Sequence, residues 1–446
     1  MFWRGLAILS LVLAPYVERG AAAGRPGRTK ERASHAAARD VDVVIIGAGA
    51  AGIAAARKLI RAGKRVVVLE ARDRVGGRAH TERLPGSRLR FDRGCSWLHG
   101  EDNILVPIAR KLGFTLIRDD PQSLVYAPGR DPSEAAAEFN RTRDDLDRAW
   151  TAVGKQRVDH AASVVPVPER GYGRLAAQSL GPNLFGIDLD QISLHDRAAQ
   201  ADVYPAYLVK EGIGTLMEAL SRGLPIRRGA PVTDVTWSKG DAAVVAGGRT
   251  YRGSAVLITV PTPLLETIHF DPPLPKRIPQ AARDLPLGHF QKVFLTFKKK
   301  VFGDIPAATR VRIPAEGDAW RTFVVRQFGE ENATALMGGK AVEDQERRGE
   351  GQTVAILRRE LTRVFGPAIG KALTASRVTH WDSDPWTRGA WSNARIGKHG
   401  ARRRLAQPVQ GTLWVAGEAT SERQNGTVAG AYEEGDRAAG EILNRP

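Results

Sequence analysis

Residues Val41 to Glu70 constrain this chain more than any others. Val41 to Ile46 (VDVVII) is a nearly continuous apolar run rich in β-branched residues, as in a strand buried on both faces of a parallel sheet. It enters Gly47-Ala-Gly49-Ala-Ala51-Gly52. A helix-like stretch, Ile53 to Ala62, follows, then a second apolar strand, Arg65 to Leu69, ending at Glu70. Strand, glycine turn, helix and strand is the order of a dinucleotide-binding unit. Gly47 permits the tight turn. Gly49 has no side chain to hold a pyrophosphate away from the backbone, Ala51 beyond it is a further cofactor-binding candidate, and Gly52 lets helix and strand pack closely. The helix N-terminus aims free N–H groups and a partial positive charge at the phosphates. Glu70 lies eighteen residues past Gly52 (70 − 52), where a carboxylate accepts hydrogen bonds from both adenosine ribose hydroxyls and disfavours a 2′-phosphate.

These residues leave NAD and FAD both open. The next ones choose. Ala71-Arg72-Asp-Arg-Val-Gly76-Gly77-Arg78 follows Glu70 directly, and the whole stretch Asp42 to Thr81 resembles the flavin-containing amine oxidase family, which includes polyamine and monoamine oxidases. The resemblance implies bound FAD, with Ala71, Arg72 and Gly77 among its contacts. It also implies that the paired glycines and Arg78 cross the pyrophosphate, the arginine offsetting its charge.

The far end carries a second motif, about 340 residues on (Arg78 to Glu418). A short apolar strand, Leu413 to Ala416, enters Gly417-Glu418. Gly426-Thr427-Val428 then opens a small-residue helix, Ala429 to Leu443. A helix N-terminus beside a flavin stabilises negative charge developing at the N1/O2 edge of the reduced ring. The stretch resembles the C-terminal signature of polyamine oxidases. The resemblance implies that Glu418 accepts ribityl hydroxyl hydrogen bonds and that Gly426, Thr427 and Val428 touch the cofactor. In Arg228 to Val235, Val232 takes the place of an adenine contact, and Ala255 to Val260 resembles a further nucleotide-domain strand.

The implied fold class is α/β: a discontinuous Rossmann-type FAD-binding domain (41–98, 205–288 and 385–446) with an inserted α+β substrate domain (99–204 and 289–384). Two helix-like stretches, Asn103 to Gly113 and Ser133 to Lys155, belong to the insertion.

His289 to Phe297 alternates polar and apolar, as a strand does. It resembles the family strand whose lysine meets flavin N5 through a water, which assigns that part to Lys292. Trp391 falls where an aromatic ring faces the flavin and flanks the amine. The second ring of that cage, usually tyrosine, is here Thr427. Ala390 stands where members with covalent flavin carry cysteine, so FAD is expected to be noncovalent. Arg90 to Gly100 matches the family at Gly94 and Trp97. It places His99 near the substrate nitrogens and offers no arginine for an amino-acid carboxylate. Glu101, Asp102, Asp202 and Glu211 are candidate channel acids by location. The implied reaction is oxidation of an amine, polyamine-like before others, by hydride transfer to flavin N5. The imine formed hydrolyses to an aldehyde, and O2 is reduced to hydrogen peroxide. Another flavin oxidoreductase of this fold (an L-amino-acid oxidase or a dehydrogenase), or a non-catalytic or protein-modifying flavoprotein, stays open.

The formal net charge is +17. Residues 1–40 hold seven Lys/Arg against three Asp/Glu, +4 of that total, so the basic balance belongs to the body of the chain. The basic residues are dispersed, and the main cluster, Arg402-Arg403-Arg404, is short and lacks interleaved aromatics. No nucleic-acid partner is expected. Cys95 is the single cysteine, which excludes an intramolecular disulfide and a cysteine-rich metal site, and no residue is assigned to a metal. Arg4, the apolar run to Val17 and Ala21-Ala22-Ala23 read as a signal peptide (1–23), followed by a disordered linker (24–40). Export to the periplasm or exterior is the expectation, with the cytoplasm as the alternative. No segment is long enough for a stable membrane insertion, and the oligomeric state is left open.

Overall fold

The glycine motif folds as its order demands. In the computed structural model, which describes residues 40–84, 89–315 and 319–445, Val43–Ile46 is the middle strand of a five-stranded sheet. Val66–Leu69 and Ala255–Ile258 flank it, both parallel. Leu413–Val415 and Ile226–Arg227 form the two edges, also parallel. Residues 1–39, which hold the signal peptide and nearly all of the linker read above, lie outside the described residues.

The three inner strands are buried at every position. Their odd-numbered first-strand residues, Val43 and Ile45, pack with Ala55 and Leu59 of the nucleotide helix and Ala438 and Ile442 of the C-terminal helix. Val44 and Ile46 point the other way, onto Val235, Trp237 and Val244 of a four-stranded sheet. Both faces are covered by apolar partners, which is why the strands carry no polar alternation.

The nucleotide helix spans Ala50–Arg61. It begins three residues before the apolar pattern does, because Ala50, Ala51 and Gly52 are small and give no periodic signal. The C-terminal helix, Val428–Leu443, lies directly against it. A Cβ on Gly435 would stand 2.0 Å from the carbonyl oxygen of Ala51, so only a glycine allows these two helices to approach this closely.

A second sheet has six strands, in the order Leu373–Val378, Phe290–Phe297, Asn332–Gly338, Trp320–Val325, Thr309–Pro314 and Ser123–Val125. All its pairs are antiparallel except the last. Val293 and Leu295 enter the core that this sheet shares with the helix Glu350–Phe365. Phe290 and Lys292, of opposite parity, face the central cavity instead.

The two predicted helices of the insertion appear as Leu105–Lys111 and Pro132–Gly154. The second starts at Asp131, whose carboxylate accepts from Ser133 N and Glu134 N at 2.9 and 3.1 Å, with Pro132 at the first helical position. A three-stranded sheet joins Leu98–His99 and Leu116–Asp119 to Ala206–Val209.

Candidate active site

One cavity of about 830 Å³ runs through the middle of the molecule, towards the upper end of the usual range of roughly 300–1,000 Å³ for ligand pockets. Gly47, Gly49, Ala51, Glu70, Ala71, Arg72, Gly77 and Arg78 line it from the N-terminal motif. Glu418, Gly426, Thr427 and Val428 line it from the C-terminal motif, with Val232 and Ala230 beside them. Lys292, Trp391 and His99 line it as well. Of the cofactor-binding and catalytic residues assigned from the sequence, Gly52 alone is set back from the wall, and its part is packing. A Cβ there would stand 2.0 Å from the carbonyl oxygen of Gly47.

Two helices aim their N-termini at this space. The nucleotide helix is capped by Gly49, which offers no side chain, and no acid lies in its first turn. Its free N–H groups and partial positive charge are left for an anion. At the C-terminal helix Thr427 is the cap: its Oγ1 accepts from Gly430 N at 2.9 Å and donates to the Gln424 carbonyl. Gly426 before it has φ +71°, and a Cβ there would meet Trp391 Cδ1 at 2.9 Å. Glycine is required for both reasons, and it is what lets the Trp391 ring lie across this turn.

The carboxylates are held in place. Glu70 accepts from Ala48 N and Arg72 N at 2.7 and 2.9 Å. The Arg72 guanidinium pairs with both oxygens of Asp384 and donates to Thr387 Oγ1. Glu418 is 5% exposed. It accepts from Arg78 Nη1 at 2.9 Å, Ser392 Oγ at 2.7 Å and Gly426 N at 2.9 Å. Arg78 and Arg402 hold its carboxyl below the usual range against the opposing effect of burial. Arg78 also donates to the Ala390 carbonyl at 2.6 Å.

Lys292 is 4% exposed. Its Nζ donates to Gly94 O and Ser96 Oγ and, at 3.3 Å, to Asp92 O, and sits 5.5 Å from the centre of the Trp97 ring. Burial pulls its pKa down to about 8, with Asp92 opposing. An amine so placed holds or gives up a proton near neutral pH. His99 Nδ1 lies 3.3 Å from Val203 O. A carbonyl only accepts, so Nδ1 carries the hydrogen and Nε2 keeps its lone pair. Burial lowers the His99 pKa, which keeps the ring neutral. The Trp391 ring lies 5.0 Å from that of Phe290.

The model of the flavin containing amine oxidoreductase family matches residues 50–164 and 176–443. The chain belongs to that family. Polyamine oxidase 2 of Arabidopsis thaliana is 30% identical, over 90% of this chain and 88% of its own. Polyamine oxidase 4 of Oryza sativa subsp. japonica is 29% identical with the same coverage. Lysine-specific histone demethylase 1 homolog 3 of Arabidopsis thaliana is 29% identical over 90% of this chain, which spans 30% of that protein. Among solved structures, wild-type putrescine oxidase bound to putrescine superposes with a TM-score of 0.75 at 21% identity, over 91% of this chain and 99% of that one.

As a flavin-dependent amine oxidase this chain uses FAD, and its cavity has the features such a group requires. A Cβ on Gly49 would meet nothing within 4 Å, so the turn is open where a pyrophosphate approaches. Trp97 Nε1 and Gln424 Oε1 are buried in the cavity wall without a hydrogen-bond partner among the described residues. Asn183 Oδ1 in the same wall is likewise unpartnered among the described residues, so one donor and two acceptors are unspent.

Several wall residues escaped the sequence reading. Arg310 lies over the Trp97 ring, 5.5 Å from its centre, and pairs with the buried Asp119. An arginine does therefore stand beside the segment that offered none, brought there from the six-stranded sheet. Phe290 adds a ring the sequence reading did not name. Glu101, Asp102 and Asp202 reach the cavity, joined by Glu433. Glu211 does not, and binds Thr115 instead. Arg402, the first of the short basic cluster, is 1% exposed. It pairs with Asp196 at 2.7 Å and donates to Ser392 Oγ at 2.8 Å, one bond behind Glu418. Three arginines in a row give no signal for which one turns inward.

Arg93, next to Gly94, is another wall residue. It donates to Glu82 at 3.0 Å, and its carbonyl accepts from Trp381 Nε1 at 3.1 Å. Among the described residues no helix is long and apolar enough to cross a membrane.

Proposed function

We propose that this enzyme oxidises a polyamine-like substrate, with O2 as electron acceptor and hydrogen peroxide and an aldehyde as products. One observation carries the reading. A single cavity joins the glycine turn, the N-terminus of the C-terminal helix, Lys292 and the Trp391–Phe290 ring pair. When bound, FAD supplies the two-electron acceptor for the amine carbon. The rest is the work of the chain. Trp391 and Phe290 present an apolar wall that orients the carbon skeleton and excludes water. Lys292 Nζ, neutral above about pH 8, takes or returns a proton. Neutral His99 adds no positive charge against an arriving ammonium. Glu101, Asp102, Asp202 and Glu433 supply negative charge that attracts a cation. Ala390 has no nucleophile, and the Cys95 thiol is pushed up to about 12 by burial, which leaves it un-ionised. These two side chains support a noncovalently bound FAD.

The test is anaerobic mixing of the FAD-loaded protein with spermine, spermidine, their acetyl forms, aromatic monoamines and L-amino acids, following flavin absorbance. Rapid bleaching by polyamines is expected. Bleaching by amino acids alone, or by none of these compounds, overturns the reading.

A further inference from the structure

Away from the cavity, three side chains of metal-ligand type converge from distant parts of the chain. Asp159 lies in the segment after the helix Pro132–Gly154, His195 in the short helix Leu194–Ala199, and His399 in the turn before the helix Ala401–Ala406. One ligand atom from each lies within 4.8 Å of the other two. The His195 and His399 rings meet edge to face with centres 5.0 Å apart.

We propose that Asp159, His195 and His399 form a binding site for one divalent transition-metal ion, with zinc as the fitting example. Two imidazoles and one carboxylate are a nitrogen- and oxygen-rich set that suits zinc, copper and nickel and is poor for calcium or magnesium, which prefer oxygen alone. Zinc bonds of about 2.0–2.2 Å put tetrahedral ligand atoms roughly 3.3 Å apart. All three separations are at most 4.8 Å, and the exposed His399 ring can turn to shorten the two that involve it.

The other two ligands are already oriented by the groups behind them. His195 Nε2 lies 2.8 Å from the Gln156 carbonyl. That contact fixes the hydrogen on Nε2 and leaves Nδ1 with its lone pair. A second ring nitrogen bound to a carbonyl is the usual support behind a metal-binding histidine. Asp159 Oδ2 accepts from Ser193 Oγ and Gly397 N, both at 2.6 Å, while among the described residues Oδ1 accepts only from His195 N at 3.0 Å. Oδ1 therefore retains a lone pair on a carboxylate that cannot rotate away. Three protein ligands on a partly exposed surface leave the fourth position to water.

The ion would act as a clamp. His195 precedes Asp196, whose carboxylate holds Arg402 and accepts from Ala394 N at 3.0 Å. His399 lies between Ala394 and Arg402. A metal at this point ties together the two segments whose contacts support Ser392 and Glu418 behind the cavity.

The experiment uses the full FAD-loaded chain, stripped with a chelator and titrated with Zn2+ by calorimetry, beside His399→Asn and His195→Asn. His399 is exposed, so its variant leaves packing intact. The wild type is expected to take one Zn2+ saturably and to melt higher in its presence. Each variant is expected to bind at least about tenfold more weakly and to lose the thermal shift. Absence of saturable binding in the wild type overturns the proposal. So does a site that survives unchanged in both variants.

Discussion

At the residue scale, two glycines three positions apart serve opposite purposes, and single methyl groups tell them apart. Gly52 is closed in by the Gly47 carbonyl, whereas Gly49 faces open space. Gly49→Ala is expected to leave the melting of the FAD-free protein within about 0.5 kcal/mol of the wild type. FAD affinity is expected to fall by about 1.4 kcal/mol or more, a factor of ten. Unchanged FAD binding by titration would remove the glycine turn from the cofactor site. Lys292 is the second case. Its amine is buried and spends its hydrogen bonds on Gly94, Ser96 and Asp92. Lys292→Met is expected to keep the yellow colour while slowing flavin reduction or reoxidation about a hundredfold. Stopped-flow rates equal to those of the wild type would mean that this amine is only structural.

At the element scale, the start of the Phe290–Phe297 strand is pinned to the loop after Leu373–Val378. His289 Nδ1 meets Asp382 at 2.8 Å, and Nε2 lies 3.3 Å from Glu343. The Asp382 hydrogen bond raises the His289 pKa above its ordinary 6.5, against burial. A group whose folded pKa is raised contributes stability that is complete below the unfolded value and is lost as pH climbs through the folded one. Asp382→Asn should therefore lower the melting temperature more near pH 6 than near pH 9. An equal loss at both would show that the pair does not titrate. Elements also mark what could be read in advance. The strands Val43–Ile46 and Val66–Leu69 were legible because burial on both faces leaves only β-branched and apolar residues. The helix start at Ala50 was not, since small residues carry no period. The Phe290–Phe297 strand was visible through its alternation, but alternation alone would put a lysine on the solvent face, and only the resemblance to the family strand pointed Lys292 to the cavity. Its neighbour in the wall, Arg310, was invisible, because strand pairing across the six-stranded sheet decides which distant side chains share a cavity. The cluster of Asp159, His195 and His399 was hidden for the same reason, having no local spacing at all.

At the scale of the whole molecule, the Glu418 side of the cavity is backed by a buried ion pair between distant parts of the chain. Asp196 belongs to the short helix Leu194–Ala199, and Arg402 to the helix Ala401–Ala406 that leads towards Glu418. Neither is more than slightly exposed. Asp196→Ala strands a guanidinium out of water and is expected to cost about 3–5 kcal/mol in urea unfolding. A loss under about 1 kcal/mol would mean that solvent reaches the pair. The docking of the last helix on the first, through Gly435 and Ala51, has a consequence in time. During synthesis the opening strand and its glycine turn leave the ribosome long before Val428, 382 residues behind Ile46 (428 − 46). At about 5–20 residues per second that interval is roughly 20–80 s. Throughout it the nascent protein has half a vitamin pocket and cannot retain its pigment, so loading must wait until translation has passed the final helix.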